Sequence, residues 1–426
     1  MVMNFSPIIE QIYAHFCSIT DVHAILLHPR SRYRSLLVAR LVSDPELRSF
    51  YYALSHNDIR LDSFVTGLMN EIAAQFPLFG YHLNQLSGTD WNDFSQLLSA
   101  FTADLAELGN EPFLLILDEY DYTDTADAIQ TFVEGLIIRI PSHGKIVINS
   151  RTLPRLPWLS LMASRHAMIL DDDQTVVEHF YNPPKQSTDM LDVRALGPGF
   201  VTFNGHTVDI WEGHLPRLLF FFALDRPVIT RSEICQAFWA TLDAEQAVNV
   251  FHVTKRRLHK ALNTDVLIHE DGIYRINPNL DLHYDAAEFV TLLLNGRDIA
   301  NPNRIDAYQR ALELYRGAFL LGHSDRWIVE RRAHYQIGYL EAINAIAGHW
   351  LADQRPEHAL SVYQHALVDA EWRETIQCKI MRLYLLMGRR SEAAAQLQRV
   401  IEEAHRANRP LETETEQIRI EILAAK

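Results

Sequence analysis

The stretch Asp243–Asn277, DAEQAVNVFHVTKRRLHKALNTDVLIHEDGIYRIN, decides how the middle of this 426-residue chain folds. Asp243 is a good helix N-cap, and Gln246 three residues on completes a capping-box pattern. Ala247, Phe251, Thr254, Leu258 and Leu262 recur at helical spacing, which predicts one buried stripe. A step of about 100° per residue sets Asn249, Val253, Arg256 and Lys260 on the opposite face. His252, Arg257 and His259 flank that face. The helix is thus expected to be anchored on one side and cationic on the other. Beyond it, VLIH and IYRI are short β-prone runs joined through Asp271-Gly272, a strong type I′ hairpin signal.

The residues upstream complete a unit. Thr230-Arg-Ser-Glu233 is a second capping-box pattern and starts a helix that carries Ile234, Ala237, Phe238 and Trp239. Thr241–Asp243 is a short break between the two helices. Helix, turn, basic helix and hairpin in that order spell a winged helix-turn-helix, whose second helix enters the DNA major groove. For a basic helix alone, a solvated face is the plainer reading; two capping patterns and a wing in register decide against it. In such a unit Asn249, His252, Val253 and Arg256 are expected to face base edges, with Arg256 pairing with guanine. Arg257, His259, Lys260 and the wing residue Arg275 are expected to touch phosphates.

These residues also carry a resemblance. NVFHVTKRRLHKAL resembles the recognition helix of the SARP-type bacterial transcriptional activators, with Asn249, Leu258, Ala261 and Leu262 in the familiar places. EDGIYRINP is similar to their wing, with Gly272, Tyr274 and Arg275 matching. Lys255 departs from the pattern, standing where that family usually has an aliphatic residue. It borders the buried face, so its ammonium is expected to snorkel outward.

Composition narrows the setting. The chain is 48% hydrophobic, ample for sizeable cores, and its length suits about three domains. A net charge of −15 makes it no bulk polycation, so any nucleic-acid binding must come from a local patch. Cys17, Cys235 and Cys378 are scattered without metal spacing, which fits a reduced compartment. The most apolar run, Leu218–Leu224, is too short to span a bilayer, and the N-terminus reads unlike a signal segment. A cytoplasmic protein with no membrane partner is expected. The 20 histidines are dispersed and no catalytic constellation appears, so no enzyme activity, metal or cofactor is expected.

Residues 1–170 read as a parallel α/β domain. HAILL (His23–Leu27), FLLIL (Phe113–Leu117) and KIVIN (Lys145–Asn149) are near-continuous apolar strands set among helical segments. His28–Ser35, HPRSRYRS, lies between strand and helix, where a phosphate-binding loop would sit. It lacks the glycines that let several backbone N–H groups converge on an anion. Arg34 and Ser35 occupy only the lysine and Ser/Thr places. Asp118 and Glu119 end a strand as the acids of a Walker B motif do. The order resembles the NTPase module of the LuxR-type STAND regulators, with LDEYD aligned to the second acidic motif and NSRTLPRLP to their SR…P…LP segment. The helical domains that follow that module in the family have no counterpart here. Together the loop and the resemblance suggest a degenerate nucleotide site at Arg34, Ser35, Asp118 and Glu119. The two acids are expected to pair with one of the arginines at 30, 32 or 34, which leaves a docking or autoinhibitory module that neither hydrolyses nor tightly binds ATP.

Residues 171–190 are acidic, then proline-rich and polar, and read as a linker. The DNA-binding domain is placed at 191–281, opening with short strands around Gly-Pro-Gly and Asn-Gly turns and a helix in HLPRLLFFFAL. From 282 to 426 the chain reads as helices. R-P-E-H-A-L-S-V-Y from Arg355 and R-R-S-E-A-A-A-Q-L from Arg389 repeat at an interval of about 34 residues, the tetratricopeptide period. YRGAFLLG and MRLYLLMGRRSEAA resemble the bacterial transcriptional activator domain that follows the winged helix in SARPs. A DNA-binding transcriptional regulator is therefore expected. The resemblance implies a dimer on direct promoter repeats, RNA polymerase as a further partner, and a signalling protein or ligand at the N-terminal or helical-repeat domain. A nucleotide-responsive ATPase switch and a helical-repeat adaptor without DNA binding are the competing readings.

Overall fold

The computed structural model describes residues 7–86, 93–170, 189–366 and 373–424. All but the last two residues of the expected linker at 171–190 lie outside the described residues. The chain divides into two compact units, one of residues 1–193 with 200–287 and one of 194–199 with 288–426.

The first unit begins with α1 (Pro7–Ser18), β1 (Ala24–Leu27), α2 (Arg34–Val42), β2 (Arg48–Ala53), α3 (Leu61–Gln75), α4 (Tyr81–Asn84), α5 (Phe94–Ala106) and β3 (Phe113–Asp118). A 3-10 turn at Tyr120–Thr123, α6 (Asp127–Arg139), β4 (Gly144–Asn149), α7 (Trp158–Ala163) and β5 (Ala167–Leu170) follow. The five strands form one parallel sheet in the order β2-β3-β4-β1-β5. Consecutive residues of β1 and β3 are buried, so both faces of the sheet are covered, as their continuous apolar runs require. Phe16, Leu37 and Leu41 from α1 and α2 pack on Ile25, Leu27, Ile116 and Val147 of the sheet.

The same unit continues with β6 (Met190–Arg194), β7 (Phe200–Phe203) and β8 (His206–Thr207). Asn204 and Gly205 take φ of 48° and 81° between β7 and β8, the left-handed pair that the Asn-Gly signal anticipates. Next come α8 (His214–Asp225), β9 (Ile229–Thr230), α9 (Arg231–Trp239), α10 (Ala244–Leu262), β10 (Leu267–Glu270), β11 (Ile273–Ile276) and β12 (Asp281–Tyr284). β12 returns to pair in parallel with β6, and the hairpin β10–β11 gains β9 as a third strand. Every residue from Leu218 to Asp225 is buried. A helix apolar all round needs neighbours all round, and α8 has them in α10, β11 and α7 of the α/β sheet domain.

The second unit holds most of α11 (Asp285–Arg297), then α12 (Arg304–Leu314), α13 (Arg326–Ala352), α14 (Pro356–Ala366), α15 (Arg373–Leu386), α16 (Arg390–Arg406) and α17 (Thr413–Ala424). From α12 onward each helix packs on the next. Ala359 and Ala393 are both fully buried, as their small side chains allow at close helix crossings, and Tyr363 and Leu397 are buried beside them. Equivalent burial at the repeated positions is what stacked helical pairs produce. Among the described residues no helix is long and apolar enough to cross a membrane.

Candidate nucleic-acid interface

α10 is capped at both ends. Asp243 accepts from the Gln246 N–H at 2.8 Å, and Asn263, left-handed at φ 49°, donates its N–H to the carbonyls of His259 and Lys260. The capping box is complete only at Thr230 and Glu233. Among the described residues Gln246 returns no bond to the Asp243 N–H, so the second expected box is half formed. Burial follows the expected stripe of Ala247, Phe251, Thr254, Leu258 and Leu262. The Phe251 ring meets Tyr274 of β11 edge to face at 5.0 Å and so fixes the hairpin to the helix.

The opposite face is open. Asn249, His252, Val253, Arg256, Arg257 and Lys260 are all exposed, and an apolar Val253 at 45% exposure stands among polar neighbours. Arg256 and Arg257 form no ion pair among the described residues. Lys260 pairs with Glu212, and that bond holds the Glu212 carboxyl below its usual range. Arg275 pairs with Glu270 across the hairpin. Both are solvent-exposed contacts of the sort that contribute little to stability and are readily exchanged.

One side chain departs from expectation, and a second is held by a neighbour. The Lys255 ammonium lies 5.3 Å over the Tyr274 ring, turned back to the hairpin instead of outward, and its burial lowers its pKa. His259 is also drawn in. Its Nδ1 sits 2.6 Å from Asp265 Oδ1 in the turn after α10, and burial pushes its pKa down against the pull of that carboxylate. It lies at the hairpin junction and lines one groove with Arg256. Between α10 and β10 runs a groove of about 620 Å³ whose basic lining comes from His252, Lys255, Arg256, His259 and His269. Lys255 and His269 were not among the expected site residues. Only the pairing of His269 with Tyr274 across the hairpin brings it there.

At the strand ends of the α/β sheet, three N–H groups of the loop His28–Ser35 bond within it. The Arg30 N–H donates to His28 Nδ1 at 3.1 Å, the Ser31 N–H to the His28 carbonyl at 2.9 Å and the Tyr33 N–H to Ser31 Oγ at 3.1 Å. No residue from 28 to 35 has a positive φ. Arg34 donates to the Pro29 carbonyl, while Ser35 is exposed. Asp118 accepts from Tyr51 Oη and Asn149 Nδ2, each at 2.7 Å, and from the Glu119 N–H at 2.8 Å. Burial, and then the bond to Asp118, push the Tyr51 phenol up to about 12, so it stays a donor. The acids do not pair with the arginines of the loop. Arg151 takes Glu119 at 3.1 Å and Asp121 at 2.7 Å, because the segment after β4 brings its guanidinium alongside while Arg34 folds onto its own loop. Burial would raise the Asp121 pKa, but Arg151 outweighs it and the net shift is downward. Asn149 and Arg151 stand in the NSRTLPRLP segment, so their sequence position was visible but their partners were not.

Residues 284–423 match the family described as bacterial transcriptional activator domain. No curated protein matches the chain. Among solved structures, the chain is similar to Mycobacterium tuberculosis EmbR in complex with a low-affinity phosphopeptide, at 19% identity and a TM-score of 0.43 over 56% of this chain. It is also similar to a signal transduction ATPase with numerous domains (STAND) that carries a tetratricopeptide repeat sensor, from Pyrococcus horikoshii. That likeness has 13% identity and a TM-score of 0.26 over 97% of this chain. In each case the chain spans 66% of the solved chain's length.

Proposed function

We propose that the protein is a sequence-specific, SARP-type transcriptional regulator that binds promoter DNA through a winged helix, α10 being its recognition helix and β10–β11 its wing. One observation carries this reading: α10 is buried along one stripe and exposes Asn249, Val253, Arg256 and Lys260 together on the other. The bacterial transcriptional activator domain at 284–423 supports it. Asn249, His252, Val253 and Arg256 read base edges, Val253 offering its methyls to a thymine and Arg256 its fork to a guanine. Arg257, Lys260 and Arg275 take phosphates, which replace the exposed carboxylates of Glu212 and Glu270. His259 positions the wing. The protein acts in the cytoplasm as an activator and carries out no hydrolysis. Its α/β domain is a docking module, and its helical repeats contact RNA polymerase or a signalling protein.

A mobility-shift titration against promoter DNA tests the helix assignment. Arg256→Ala should cost about 1–3 kcal/mol and relax specificity at one position, whereas Lys260→Ala should weaken all sequences alike and shallow the salt slope by about one unit. Parent-like specific binding by both variants would overturn it. A single winged helix reads a short site, so tight binding needs two copies on direct repeats near one helical turn apart. Footprinting checks this: full affinity for one isolated half-site, bound by a monomer, would exclude the tandem arrangement.

A further inference from the structure

The α/β sheet domain and the helix–helix–hairpin unit, both within the first compact unit, share one buried polar cluster. Arg155, only 1% exposed, donates to the Asp124 carbonyl at 2.7 Å and to Asp127 Oδ1 of α6 at 2.8 Å, and it pairs with Glu233 of α9. Arg226, at the end of α8, pairs with Glu134 of α6 at 2.8 Å and with Glu233 at 3.3 Å. It also donates to the Arg155 carbonyl at 3.1 Å. Thr230, the N-cap of α9, donates to Asp127 Oδ2 at 2.9 Å while its oxygen accepts from the Glu233 N–H. The start of α9 is therefore built by both domains: its cap residue and its box glutamate each bind the α/β side.

The chain that supplies Arg155 comes directly from the strand-end acids. Asn149 holds Asp118, Arg151 holds Glu119 and Asp121, and Thr152 donates to Asp124 at 2.8 Å. Three residues on, Arg155 reaches Glu233. Hydrogen bonds and ion pairs thus hold this covalent segment at both of its ends, from the Walker-like strand end to the start of α9. The open face of α10 takes no part in it.

We propose that the acids at 118–121 and Arg151 anchor a strut, residues 149–155, whose far end at Arg155 clamps α9 and so fixes how α10 is presented. The α/β domain then acts neither as a nucleotide switch nor as a cover over the recognition helix. It is a fixed half of one DNA-binding body, with Arg151, Arg155 and Arg226 as positioning residues. A clamp of this kind couples distant sites only while each contact holds. Ion pairs buried as deeply as Arg155 with Glu233 favour one arrangement over others more than they add net stability.

The inference deepens the docking role assigned above, and hydrogen exchange on the full chain without DNA tests it apart from that reading. Three variants serve: Arg226→Ala at the joint, Glu134→Gln as its conservative counterpart, and Arg151→Ala at the exposed far end, where folding is least threatened. In Arg226→Ala and Arg151→Ala, amides of α9 from Ile234 to Trp239 should exchange about tenfold faster while those of β1 and β3 keep their protection. Glu134→Gln should show a smaller effect, since its amide can still accept from Arg226. Parent-like α9 protection in Arg151→Ala would overturn the strut, and parent-like protection in Arg226→Ala would overturn the joint. Because no DNA is present, these outcomes stand whether or not α10 binds a promoter. A parent chain that exchanges as expected but fails to shift DNA would sink the functional reading alone.

Discussion

Asp118 has three donors on its two oxygens: the Tyr51 hydroxyl, the Asn149 amide and the Glu119 N–H. Its bonds to Tyr51 and Asn149 tie the ends of β2, β3 and β4 together, which gives Asp118 a part in holding the sheet. Asp118→Ala should lower the urea midpoint by the equivalent of about 1–3 kcal/mol, since it leaves partly buried donors without an acceptor. An unchanged midpoint in equilibrium unfolding would count against this account. Around α10 single residues show the same competition for partners. The Lys255 ammonium chose an aromatic face, and His259 chose Asp265, over the open surface that helical geometry alone offered them. The wing tip depends on Asp271 and Gly272 at φ 50° and 85°, a left-handed pair that an Asp-Gly turn supplies without strain at the glycine.

Among the elements, β5 and β1 carry a titratable pair beside their first residues. His166 lies 5.2 Å from His23, ring edge to face, and the His166 carbonyl accepts from the N–H groups of His23 and Ala24. Ser164 Oγ lies 2.6 Å from His166 Nδ1. Burial first, and then the neighbouring His23, lower the His166 pKa from its ordinary value of 6.5. A histidine whose folded pKa is depressed binds its proton better in the unfolded chain. Its share of stability is thus present above pH 6.5 and is lost as pH falls through the folded value. Thermal melts should show a midpoint that drops on acidification from pH 7 toward 5, and His166→Gln should flatten part of that slope. Equal slopes for parent and variant would show that other groups carry it. At the same scale, α8 reveals why LLFFFAL is apolar throughout: it lies between α10 and α7 and has no solvent side.

For the whole molecule, charge and architecture meet. The chain is net −15, yet the open face of α10 presents Arg256, Arg257 and Lys260, of which only Lys260 is ion-paired, to Glu212, among the described residues. On the proposed function phosphate would meet one local surface, and the salt dependence of binding should be that of a few contacts, not of a polycation. In the sheet of order β2-β3-β4-β1-β5 the loop after β1 lies at a strand end, and the N–H groups of Arg30, Ser31 and Tyr33 bond within that loop. Calorimetry of the full chain with ATP and magnesium is expected to show no tight binding. Micromolar affinity that is lost on Asp118→Ala would sink the non-hydrolysing role of this domain.

The sequence by itself determined most of the features that rest on a short window. Helical period and caps place α10 and its buried stripe, because a residue's face follows from its step along the helix. Apolar runs place β1, β3 and β4, Asn-Gly and Asp-Gly place two turns, and a 34-residue interval places Ala359 and Ala393 at equivalent buried positions. Only the tertiary structure decided which charges meet. Arg151 is 30 residues from Asp121, Arg226 is 92 from Glu134, and Thr230 is 103 from Asp127. A guanidinium on a flexible stem can reach any carboxylate within its span. Its partner is set by which strand ends the fold brings together, and no local pattern around either residue records that choice.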